Sequence, residues 1–172
     1  MSDPAPEFSR PVRLQRLGTK PFRQRIEATA EERQKLSQRF DLMALCRLVA
    51  EVELRRQDAE IVVLEAQFEA EFEQCCAATL EPVRGTVADR FSLVYGPAPE
   101  QQQEVILSAE EPAFEPLQGD IIDVGEAVAQ ELSLAIPAFL RDPDAAIDDV
   151  LPAETLEGAF ATLARLRKES EC

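Results

Sequence analysis

The chain has 172 residues, 45% of them hydrophobic, and carries a net charge of −15. That length suits a single domain with its own core, and that apolar share is too high for a chain disordered throughout. The sequence holds no histidine, so Ser-His-Asp and Cys-His nucleophile systems are excluded, along with the commonest zinc ligand. The charge is unevenly spread. Residues 1–56 hold 12 Lys/Arg against 8 Asp/Glu, and residues 57–172 hold 6 against 25. A basic arm joined to an acidic body is the simplest description. The acidic body argues against DNA and anionic membranes as partners. The four cysteines, Cys46, Cys75, Cys76 and Cys172, form no disulfide framework. No apolar stretch of about 18 residues is present to span a membrane, and the expected compartment is the cytoplasm.

In chain order, residues 1–9 are expected to be disordered, and one domain is expected over 10–172. Residues 10–25 hold Arg10, Arg13, Arg16, Lys20, Arg23 and Arg25 with no acid among them. Pro11, Gly18 and Pro21 divide this stretch into short extended pieces. Its six cations either contact RNA phosphates or neutralise the protein's own acidic sheet face. Thr29 and Glu32 have capping-box spacing and open a helix over Ala30–Phe40. Leu48, Ala50, Val52 and Leu54 then alternate with polar positions, which predicts a strand. A turn at 56–60 follows. Val62 to Phe72 repeats the alternation with glutamates on the other face, and Val83 to Tyr95 makes a third strand of an antiparallel meander. Residues 96–118 and 141–153 read as acidic surface loops, the first with a short strand at Val105–Leu107. Asp123 and Glu126 form a second capping-box arrangement ahead of a helix over Val124–Ile136, which Pro137 ends. Leu156, Phe160, Leu163 and Leu166 mark a C-terminal helix. The fold class is α+β: an antiparallel meander, partly closed, packed with two or three helices.

Two runs are the most restricted in composition. In Cys76-Ala-Ala-Thr79 the spacing is that of half a Cys-x-x-Cys site, but the second position is Thr, and no second Cys pair exists to complete a zinc site. One of Cys75 and Cys76 is expected as a small buried residue at a strand end. In Gly119-Asp-Ile-Ile-Asp-Val-Gly-Glu126, Asp123 is expected as an N-cap and Asp120 as part of the preceding turn. A carboxylate-based, metal-assisted hydrolase using Glu81, Asp120, Asp123 or Glu126 is the enzyme-class alternative. No metal and no cofactor is expected.

With Cys76-Ala-Ala-Thr-Leu-Glu-Pro-Val83, Gly119–Glu126 and its continuation Ala-Val-Ala-Gln-Glu-Leu-Ser-Leu-Ala-Ile-Pro137, the chain resembles the YceD family of large ribosomal RNA subunit accumulation proteins, in a branch found in alphaproteobacteria. Phe8-Ser-Arg-Pro-Val12 and Ala30-Glu-Glu-Arg-Gln-Lys-Leu36 extend the likeness over nearly the whole chain. The resemblance implies a non-enzymatic role in 23S ribosomal RNA accumulation. Its partners would be ribosomal RNA or large-subunit assembly proteins. A chaperone-like acidic binder of a basic ribosomal protein, without RNA contact, is the alternative within the same class. Cys76, Leu80, Glu81, Pro82, Gly119, Asp123, Gly125 and Glu126 are the family-motif positions, expected to be structural. Other branches carry Cys where Thr79 stands, and an Asn-Pro-Phe-Ala pattern where Glu157-Gly-Ala-Phe160-Ala stands here.

Overall fold

A computed structural model describes residues 6–58, 60–97, 113–117 and 119–142. Five strands form the main sheet: β2 (Phe22–Glu27), β3 (Ala44–Arg56), β4 (Val62–Cys75), β5 (Pro82–Gly96) and β6 (Ala113–Pro116), in that spatial order. The long strands β3, β4 and β5 pair antiparallel, as do β2 and β3. The expected meander is therefore present. The sheet is open, with β2 and β6 as its edges, and is not partly closed as the sequence suggested. The parallel edge strand β6 was also not foreseen. β1 (Pro11–Arg13) pairs with β7 (Ile121–Asp123) in a separate two-stranded ribbon.

The alternation fixes which face is which. Leu48, Ala50, Val52 and Leu54 of β3 and Leu64, Ala66, Phe68, Ala70 and Phe72 of β4 are all buried. Their neighbours in sequence point the other way, as the two-residue strand period requires. Helix α1 (Ala30–Arg39) packs on β3, and α2 (Val124–Ala135) packs on β4 and β5. Leu36 of α1 and Val124, Val128 and Leu132 of α2 join the same core cluster. Burying one Leu contributes about 1.5–3 kcal/mol, so this inner layer dominates stability.

Both expected helix starts are observed. Thr29 and Glu32 close a reciprocal capping box. The carboxylate of Asp123 accepts from the N–H groups of Gly125 and Glu126. Glu126 does not complete a second box, because its carboxylate turns to Arg39 at 2.8 Å. The expected strand at 105–107 and the C-terminal helix lie outside the described residues.

Candidate interaction surface

The chain segment before β1 runs over the N-terminus of α2, and Asp123 holds the crossing. One carboxylate oxygen of Asp123 accepts the Ser9 hydroxyl at 2.5 Å, and the other accepts the Arg10 N–H at 2.7 Å. Gly125 makes room for it: a Cβ there would lie 2.2 Å from the Phe8 carbonyl oxygen. Phe8 itself is fully buried. Arg10 then reaches to Glu32 with two hydrogen bonds, of 2.7 and 2.9 Å, and donates to the Ser9 and Glu27 carbonyls. Paired donors on a carboxylate make a strong, directional contact. Arg10 holds the Glu32 carboxyl down at about 2, with the Thr29 N–H helping. Arg39 plays a parallel role, linking Glu126 of α2 and Glu7 to α1.

Arg10 is thus a structural clasp with its donors occupied. Arg23, on the outer face of β2, pairs with Glu53 at 2.6 Å. Arg23 thus neutralises a carboxylate of the protein's own sheet face, one of the two roles foreseen, whereas Arg10 pairs with a carboxylate of α1. Arg13, Arg16, Lys20 and Arg25 differ: each is exposed, and none has an ion-pair or hydrogen-bond partner for its side chain among the described residues. Arg13 ends β1, Arg16 ends a tight helical turn at Leu14–Arg16, Lys20 lies in the loop, and Arg25 is on β2. The two aromatics of this region face inward, Phe8 wholly and Phe22 in part. Stacking of bases on them is therefore closed off, and charge is what this segment offers.

The outer face of the sheet is polar. In register, Arg25, Glu51, Gln67 and Arg90 make one row across four strands, and Arg23, Glu53, Glu65 and Ser92 make the next. Two adjoining depressions, of about 400 and 730 Å³, lie along these rows and share Arg25, Glu51, Gln67 and Arg90. The alternation of β3 already set Arg47 beside the glutamates of this face; Arg90 was not found, although the two-residue period of β5 puts it outward.

The β4–β5 corner is the second motif run. Cys76 is buried and Cys75 exposed, as expected for one of the two. The Cys76 sulfur accepts the N–H groups of Ala78, Thr79 and Asp142 at 3.4 to 3.5 Å. Those contacts, Asp142 first, pull its thiol down to about 7. The Cys76 N–H donates to the Glu81 carbonyl and the Leu80 N–H to the Cys76 carbonyl, closing the turn. Leu80 sits at φ +62° and is exposed, and Pro82 opens β5. Gly119, at φ +77°, makes the turn before β7. Both oxygens of Asp123 are engaged by protein donors, and Asp120 and Glu81 are exposed in separate turns. Among the described residues no group of three His, Cys, Asp or Glu side chains is arranged to hold a metal ion. No helix among them is long and apolar enough to cross a membrane.

Residues 64–158 match the family described as large ribosomal RNA subunit accumulation protein YceD. The chain belongs to that family. Membership carries a role in the accumulation of large-subunit ribosomal RNA. The matched span contains both motif runs, most of β4, and all of β5 and α2, and leaves residues 10–25 outside it. Comparison with curated proteins and with solved structures gives no match.

Proposed function

We propose that this YceD-family protein is a non-enzymatic binding factor for 23S ribosomal RNA accumulation, and that it meets RNA phosphates through Arg13, Arg16 and Lys20. One observation supports the reading above the others. The fold engages Arg10, Arg23, Arg39, Arg47, Arg55 and Arg84 with its own carboxylates. It leaves Arg13, Arg16 and Lys20 exposed, in a stretch with no acid. Cations without an internal partner are the ones that gain by neutralising phosphate. The acidic remainder keeps such binding local and weak, so it should be steered by charge and fall steeply with salt.

The test is genetic. In cells lacking the protein, the ratio of large- to small-subunit ribosomal RNA is expected to fall, and the wild-type chain to restore it. Replacement of Arg13, Arg16 and Lys20 together by Glu should abolish rescue while the purified variant keeps its thermal midpoint, since all three are exposed. Full rescue by the triple variant would remove this reading.

A further inference from the structure

The outer trough is mixed in charge, unlike the segment around Arg13 to Lys20. Its smaller lobe is lined by three arginines, Arg23, Arg25 and Arg90, and three glutamates, Glu51, Glu53 and Glu65. The larger lobe adds Arg47 and Glu69 over Val49 and Ala88. Val49 pairs in register with Glu27 and Glu69, so it faces outward, yet it is only 7% exposed. The surrounding side chains wall it in, giving the trough an apolar floor. Arg25 and Arg90 stand at opposite ends of one row, and neither guanidinium has a partner among the described residues. Among the described residues the only side-chain partner of Glu51 is the Gln67 amide, at 3.3 Å.

Magnitudes narrow the occupant. Strands lie about 4.8 Å apart, so β2 to β5 spans about 14 Å, and rows repeat about every 6.7 Å along them. From Arg47 to Glu53 the floor is about 20 Å long, enough for about six residues of extended polypeptide, whose same-face side chains repeat at the same step. A nucleic-acid backbone gains little there, because the four glutamates Glu51, Glu53, Glu65 and Glu69 match the four arginines Arg23, Arg25, Arg47 and Arg90 in number. A polypeptide bearing both signs can place a cation over Glu51, which among the described residues has no arginine partner, and anions on Arg25 and Arg90.

We propose that the outer face of the sheet is a docking trough for a partner's polypeptide segment that carries both cationic and anionic side chains. It stands apart from the RNA contact of residues 13–20 and does not depend on it.

Site-specific photocrosslinking in cells tests it, with a benzophenone amino acid in the full chain at Ala88 on the floor, and separately at Thr19. The Ala88 probe is expected to crosslink a polypeptide at a segment containing both Lys/Arg and Asp/Glu. Glu51→Arg with Arg90→Glu should lower that yield by about tenfold while leaving the thermal midpoint unchanged. RNA at the Ala88 probe, no crosslink there, or a polypeptide crosslink that survives the double charge reversal would each overturn the proposal. The Thr19 probe reports RNA contact independently, so failure at one site is distinguishable from failure at the other.

Discussion

Gly125→Ala tests whether the N-terminal crossing holds the fold together. In the helix itself the change is favourable, since Ala exceeds Gly in helix propensity by about 1 kcal/mol. The surroundings oppose it. The new Cβ would lie 2.2 Å from the Phe8 carbonyl oxygen and 3.0 Å from the Arg10 nitrogen. Restoring 3.0 Å to the oxygen requires a retreat of at least 0.8 Å, and the atom that must move is backbone. That retreat pulls Phe8, fully buried, out of its seat and stretches the 2.7 Å bond from Arg10 to Asp123. Overpacking of this kind costs about 1–3 kcal/mol, and loosening the cap contacts adds about 1 kcal/mol. The clash therefore outweighs the propensity gain, and a net loss of about 2 kcal/mol is expected. For a chain of this size that is a fall of about 4–8 °C in thermal midpoint. Calorimetry or circular dichroism on the purified variant reads it directly. An unchanged or raised midpoint would refute the close crossing over α2.

Three further outcomes are expected from the same geometry. The folded-state pKa of Glu32 is about 2, below its ordinary 4.5, so its stabilisation is present above 4.5 and is lost as pH falls towards 2. Urea titrations should show Glu32→Gln less stable than wild type at pH 7, with the gap closing through that window; a gap independent of pH would contradict the Arg10 clasp. Asp123→Ala removes the α2 cap and the partner of Ser9 and Arg10, and should cost about 2 kcal/mol in denaturant unfolding. In the native protein iodoacetamide should label Cys75 and Cys46, which are exposed, and spare Cys76, which is buried despite its lowered thiol pKa; mass spectrometry showing fast Cys76 labelling would argue against the closed corner.

Much of the fold was legible because β3 and β4 alternate cleanly over long runs, and because Thr29 and Asp123 are strong caps. β1 was legible only as one of the short extended pieces of residues 10–25, and β6 and β7 were not legible, since strands of three or four residues carry too few periods to register. Asp123 was read as a cap from its spacing. Its second task, receiving Ser9 and Arg10 from more than 110 residues away, has no local signature. For the same reason Arg10 looked like its neighbours Arg13 and Arg16, although only Arg10 has a carboxylate brought to it by the fold. Glu126 shows the converse: capping-box spacing was present, and a long-range partner, Arg39, won the side chain.

Crosslinking with sequencing in living cells tests the central claim most directly. The wild-type chain is expected to enrich large-subunit ribosomal RNA over small-subunit RNA, with crosslinked peptides falling within residues 13–20, and the Arg13, Arg16 and Lys20 reversal should remove that signal. Absence of large-subunit reads above background, or a signal unchanged in the reversed variant, would contradict it.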